Sequence, residues 1–157
     1  MPSPIQKTLL ATIEVVGKPI PQARPRARVF DGHGSVYDSG TSRPWKALII
    51  DAVACQVANL CGRRLTDPMK VRLEFRFPRI NSHFGTGKNV NTLKPNAPTY
   101  KAGKPDVDNL IKSTLDAVTE TGLWRDDNLV VQLDCVKRYV AVDESPGCTI
   151  TIWKLED

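Results

Sequence analysis

Apolar positions along this chain fall into two periods, and the order in which the periods alternate predicts a fold. Residues 8–16 read T-L-L-A-T-I-E-V-V, a β-branched and mostly apolar run closed by Gly17, which predicts a buried strand. Across residues 43–61, apolar side chains at Trp45, Leu48, Ile49, Ala52, Val53, Val57 and Leu60 recur every three or four positions and predict a helix. Ser42 is placed to cap it, Pro44 suits its first turn, and Gly62 is the expected stop. Residues 69–77 set Val71, Leu73, Phe75 and Phe77 against Lys70, Arg72, Glu74 and Arg76, the alternation of a half-buried strand. A second helix is expected after Pro105, turning Leu110, Ile111, Thr114, Leu115 and Val118 inward and ending at Gly122. Two further alternating runs, 128–140 and 147–155, read as strands joined by the turn 143–147. The order β-α-β-α-β-β predicts one α/β (α+β) domain over residues 1–157, with a mixed sheet of about four strands, helices packed on it and long basic loops.

Those loops are 18–42 and 78–105. In the first, proline alternates with arginine, and Arg24, Arg26 and Arg28 stand at i, i+2 and i+4, so an extended backbone projects all three to one side. Such a row suits a phosphate backbone as well as it suits a solvated arm. Residues 30–42 are expected to be loop, with a brief strand at Val36-Tyr37-Asp38. In the second, Arg79, Lys88, Lys94, Lys101 and Lys104 occur with no acid between them, which reads as a substrate-contacting flap that orders on nucleic acid. Arg76 on the preceding strand, and Lys137 and Arg138 further on, are additional candidate contacts. Trp45 is read as a core anchor, and the lone loop His83 is kept outside the site.

Charge sharpens this division. Residues 1–104 carry 17 basic and 6 acidic side chains, net 17 − 6 = +11, whereas residues 105–157 carry 5 and 11, net 5 − 11 = −6. A basic part that meets phosphates beside an acidic part that holds a cation is what a nuclease requires. The cysteines Cys55, Cys61, Cys135 and Cys148 form no C-x-x-C pair, which argues against a zinc site and for buried free thiols. No apolar span is long enough for a membrane, and the expected compartment is a cytoplasm.

The acids concentrate around the second helix. Asp106 and Asp108 are two residues apart just where it begins, and Asp126-Asp127 follow just where it ends. Along its polar face Asp108, Lys112 and Asp116 recur at i, i+4 and i+8. Phosphodiester hydrolysis calls for a cation that binds the phosphate and activates water, and Mg2+ favours a few carboxylates with retained waters. A lysine one turn from Asp108 could offset charge developing on the phosphate. The same residues are ordinary helix caps and turn formers.

The run K-P-D-V-D-N-L-I-K at 104–112, then L-D-A-V at 115–118, then G-L-W-R-D-D-N-L-V at 122–130, resembles the signature of the RusA family of Holliday-junction resolvases in order and spacing. The resemblance is close from Lys104 to Lys137 and looser elsewhere. It implies a Mg2+-dependent homodimeric endonuclease, with Mn2+ as a substitute metal, that nicks four-way and other branched DNA in recombination and repair. It implies Asp106, Asp108 and Asp127 as metal ligands, Lys112 as a catalytic group, a secondary role for Asp126 and a mainly structural one for Asp116. It also implies a phage or prophage origin and a bacterial host cytoplasm. Arg24, Arg26, Arg28, Arg76, Arg79, Lys88, Lys101 and Lys104 are then the expected DNA contacts. Two rivals stand beside it: a nuclease for flaps, forks or structured RNA, and a non-catalytic nucleic-acid-binding protein.

Overall fold

A computed structural model describes residues 4–60 and 63–157, so the predicted stop at Gly62, and Cys61 with it, lie outside the described residues. The chain opens with β1 (Gln6–Val16), an edge strand whose Ala11, Ile13 and Val15 point inward while alternate residues face solvent. After a proline-rich crossing, β2 (Arg26–Phe30) and β3 (His33–Tyr37) pair as an antiparallel hairpin. From sequence, residues 30–42 are expected to be loop with a brief strand at 36–38; the strand is observed, as the end of β3, but the loop around it is corrected to a full hairpin. Its turn is Asp31-Gly32, both with positive φ (51° and 78°), the geometry that favours Asp-Gly in tight hairpins.

Helix α1 (Arg43–Gln56) begins at Ser42, but the Ser42 hydroxyl makes no cap and donates instead to the Gln22 side chain at 3.1 Å. Strand β4 (Met69–Phe77) follows, then helix α2 (Val107–Glu120), β5 (Val130–Tyr139) and β6 (Gly147–Glu156). The four long strands form one mixed sheet in the order β1-β6-β4-β5, as the alternating runs predicted. β5 and β6, read from sequence as neighbours across a turn, are not paired. β5 lies parallel to β4, from Met69↔Val130 to Phe77↔Tyr139, and β6 inserts antiparallel between β1 and β4. The unit β4-α2-β5 is therefore a parallel pair with a helical crossover, the connection that parallel strands require.

Both helices pack on one face of the sheet and against each other. Between helices and sheet lie Ile13, Val15, Trp45, Ile49, Val71, Leu73, Phe75, Leu110, Trp124, Ile150 and Ile152, all essentially without solvent contact. Trp45 is the anchor that its position predicted: its indole is buried and donates to the Thr114 hydroxyl at 3.2 Å, joining α1 to α2. The opposite face is polar. There Lys70 pairs with Asp134, Arg138 with Glu74 and Glu144, and Arg76 with Glu14. Cys55 is exposed, Cys135 half-buried and Cys148 buried, so only part of the expected thiol burial is observed. Among the described residues no helix is long and apolar enough to cross a membrane.

Candidate functional site

Helix α2 organises the acids. Asp106 is its N-cap in extended conformation, yet the Asp106 side chain makes no capping hydrogen bond. Asp108 lies in the first turn, and both carboxylates are exposed with no ion pair among the described residues. Their oxygens are thus free for a ligand. Lys112 is exposed on the same polar face, while Asp116, half-buried, faces Lys46 of α1 at 4.0 Å.

The start of α2 forms one wall of an open groove of about 750 Å³ lined by Pro21, Gln22, Ala23, Arg24, Lys104, Pro105, Asp106 and Asn109. Two cationic side chains, Arg24 and Lys104, thereby share a groove with the Asp106 carboxylate. The opposite wall is fixed to the helix by hydrogen bonds: the Gln22 N–H donates to the Asn109 carbonyl at 2.9 Å, and the Ser113 hydroxyl donates to the Ile20 carbonyl at 2.8 Å. Asn109 and Gln22 were not singled out from sequence. Asn109 directly follows Asp108 and was legible there, whereas Gln22 sits in a proline-rich run with no local signal.

Asp126 and Asp127 stand beyond the other end of the helix, in a 3-10 turn that leads into β5. The Asn128 N–H donates to the Asp126 carboxylate at 3.0 Å, and this bond holds the Asp126 pKa below its ordinary value, assisted by a hydrogen bond from Asp127. Asp127 shifts the other way. Desolvation pushes its pKa up, and the neighbouring charges of Asp126 and Asp116 add to the rise. Crowded carboxylates of this kind are relieved by a bound cation.

The residues present suit Mg2+ in chemistry more than in grouping. The donor chemistry suits the ion, because each end of α2 offers two carboxylates and Mg2+ retains waters for its remaining positions. However, among the described residues no group of three or more Asp, Glu, His or Cys side chains converges to hold a metal. Fourteen residues of helix, about 21 Å long at 1.5 Å per residue, lie in the chain between the Asp106–Asp108 pair and the turn that leads to Asp126 and Asp127.

The expected phosphate contacts divide as well. Arg24, Arg26 and Arg28 are exposed, the last two on the β2–β3 hairpin. In the hairpin register Arg26 lies opposite Tyr37 and Arg28 opposite Ser35, which puts the two arginines on one face. Lys88 and Lys104 are exposed as well. Arg76, by contrast, is 5% exposed, and its guanidinium is taken up by Glu14, by the Thr149 hydroxyl at 2.6 Å and by the Ser145 carbonyl at 3.2 Å. It has no free face for a phosphate. Arg138 is likewise held by Glu74 and Glu144.

The stretch 79–104, expected to order only on nucleic acid, is laced to the sheet in the free protein. Arg79 donates to the Val140 carbonyl at 2.9 Å and the Pro98 carbonyl at 2.8 Å. Lys101 lies over the Phe77 and Tyr139 rings at 5.4 and 5.5 Å. His83, kept outside the site as a lone loop residue, is 7% exposed and meets the Tyr139 ring edge-on at 4.5 Å. Its Nδ1 is buried without a hydrogen-bond partner, and burial, followed by the charges of Arg79, Lys101 and Lys94, lowers its pKa.

Comparison with known proteins bears on the whole of this arrangement. A family model described as "Endodeoxyribonuclease RusA" matches residues 17–153, from the proline-rich crossing to β6. The chain is also 29% identical over 140 residues to "Uncharacterized protein YqaN" of Bacillus subtilis (strain 168), an alignment that covers 88% of this chain and 92% of that protein.

Proposed function

The chain belongs to the RusA endodeoxyribonuclease family, and from that premise we propose a structure-selective nuclease that cuts four-way DNA junctions with Mg2+ bound by aspartates. The observation that carries this reading is the groove at the start of α2, where Arg24 and Lys104 stand beside the uncapped Asp106 carboxylate. Cations and a free carboxylate in one open groove suit a phosphodiester whose charge must be held while a cation is recruited next to it.

Asp106 and Asp108 are the proposed ligands at one end of α2 and Asp127 at the other, with Asp126 supporting Asp127. When bound, Mg2+ supplies phosphate binding and an activated water. The remaining roles belong to side chains of this chain. Arg24 and Lys104 hold the DNA backbone in the groove, Arg26 and Arg28 extend that contact along the hairpin, and Lys112 offsets charge developing on the phosphate. Asp116, paired with Lys46, keeps α1 and α2 in register.

A homodimer completes the proposal. Two-fold symmetry matches the two opposed cuts that a four-way junction needs, one at the carboxylates of each subunit. The decisive experiment is strand cleavage of an immobile four-way junction, with Mg2+ and with chelator, by the wild type and Asp108→Asn. Paired, metal-dependent nicks that vanish in the variant while junction binding persists are expected. Cleavage by the variant at the wild-type rate removes Asp108 from the site. Equal cutting of junctions, flaps and forks makes the enzyme a general branch nuclease, and binding without cutting across several divalent metals leaves a DNA-binding protein.

A further inference from the structure

We infer that Lys137 is a positioning residue for the Asp106–Asp108 pair, acting through the backbone that leads into α2 rather than through DNA. The inference rests on the metal-binding reading above for its consequence, and on geometry alone for its mechanism. Lys137 belongs to the row Leu133, Cys135, Lys137 and Tyr139, which the parallel register places on the helix-bearing face, with Lys137 opposite buried Phe75. An ammonium is out of place in such a row unless something there accepts its hydrogens.

Two carbonyls do. The Lys137 ammonium donates to the Gly103 carbonyl and to the Pro105 carbonyl, each at 2.6 Å. These are short, charge-assisted bonds. They straddle Lys104, and the second carbonyl belongs to the residue directly before Asp106. Backbone extends the grip, because the Lys101 N–H donates to the Lys137 carbonyl at 3.1 Å and the Tyr139 N–H to the Thr99 carbonyl at 2.9 Å. Residues 99–101 thus cover the outer edge of β5, and the ammonium continues the hold from where this pairing stops to the helix cap.

The location is electrostatically costly in a way that argues for a specific role. A cation beside a helix N-terminus opposes the helix dipole, which favours anions there. Here the cation is offset by the two carbonyls and sits on a strand held between a parallel neighbour and the 99–101 segment. A sheet strand is a stiffer reference than a loop. The ammonium therefore transfers the rigidity of β5 to the direction in which the Asp106 and Asp108 side chains leave the helix. Ligand geometry at a metal depends on such supporting contacts, whose loss typically weakens affinity about 10-fold to 100-fold.

The test compares wild type with Lys137→Met, which keeps the aliphatic stem and removes the donor. Three readouts are taken: amide hydrogen exchange over residues 103–110, Mn2+ and Mg2+ uptake by the DNA-free protein in calorimetry, and the salt dependence of junction binding. Faster exchange over 103–110, metal affinity lower by roughly 10-fold and an unchanged salt slope are expected. Unchanged exchange overturns the inference, as does faster exchange with unaltered metal affinity. A salt slope shallower by about one, with metal affinity intact, makes Lys137 a phosphate contact and also overturns it. If the wild type itself takes up neither metal, the metal-binding reading fails, and the exchange measurement alone decides whether Lys137 sets the helix start. Should Lys137→Met not fold, Lys137→Gln, a shorter neutral donor, is read in the same way, with smaller changes of the same sign expected and wild-type behaviour overturning the inference.

Discussion

Arg76 on β4 reaches across β6 to Glu14 on β1, so that one guanidinium ties the central strand to the edge strand over the polar face of the sheet. The Thr149 hydroxyl, on the intervening strand, accepts from the same guanidinium and donates to the other Glu14 oxygen at 2.7 Å. Arg76→Ala removes bonds to three acceptors from a nearly buried side chain. A loss of about 2–3 kcal/mol is expected, read as a fall in Tm of roughly 5–10 °C, with the salt slope of DNA binding untouched. A weakened salt dependence without loss of stability would restore Arg76 to the DNA surface.

Arg26 is the counterpart in the opposite role. It is exposed on the β2–β3 hairpin, which makes few contacts with the rest of the fold, so its removal has little to destabilise. Arg26→Ala is expected to leave Tm within about 1 °C while reducing the log–log salt slope of junction binding by about one. Filter binding at several ionic strengths together with a melting curve separates the two arginines. An unchanged slope removes the hairpin from the interface.

The contrast between these arginines shows what was legible in the sequence and what was not. The alternation around Arg76 revealed the strand and its polar face, but Glu14 is 62 residues away, and nothing local announces a partner at that distance. The same limit explains the β5–β6 error. A period of two marks which face is buried, and it is the same whether the neighbour is β6 or β4, so the insertion of β6 between β1 and β4 left no trace in the pattern. The β2–β3 hairpin did carry a signal, the Asp31-Gly32 pair between β-branched and aromatic residues, which the preceding prolines and the several glycines obscured. Both α-helices, the inward face of β4, the existence of β1 and the position of Asp106 at a helix start were readable, because each depends on near neighbours in the chain, whereas β1, expected to be buried, is an edge strand with alternate residues in solvent. How Asp127 stands relative to Asp106 depends on how α2 lies on the sheet, which the spacing of the acids does not encode.

Crowding at Asp127 yields a prediction of its own. Its raised pKa means that the fold disfavours its charged form, so Asp127→Asn removes a penalty at neutral pH. The variant is expected to melt about 1–2 °C higher than the wild type at pH 7, a small gain because Asp127 is largely exposed and its neighbours' charges are screened. The sign follows from linkage. As pH falls through the raised pKa, the wild-type carboxyl takes up its own proton, and the advantage of the amide disappears. Added Mg2+ or Mn2+ should narrow the gap at neutral pH by stabilising only the wild type. Melting curves across pH, with and without metal, check this; a variant less stable than wild type at pH 7 without metal sinks it.

Glu144 titrates in the opposite sense. Its carboxylate accepts both terminal nitrogens of Arg138, at 2.5 and 2.8 Å, and the Ala141 N–H at 2.9 Å. The Arg138 hydrogen bonds are the main reason that its pKa falls from the ordinary 4.5 to about 2. A depressed carboxylate contributes stability that is fully present above its unfolded value and is lost as pH falls through its folded value. Glu144→Gln keeps the shape and removes the charge, and at pH 7 should cost about 1 kcal/mol once partial exposure is discounted, or roughly 2–4 °C in Tm. That difference should shrink steadily between pH 4.5 and pH 2, because the wild type loses the same charge over that range. Taking the variant minus the wild type at each pH cancels the other carboxylates, including Asp127, whose contribution runs the other way. A difference that stays constant down to pH 2 would mean that the Glu144 charge is not what Arg138 holds, and that the turn between β5 and β6 is fixed by its backbone bonds alone.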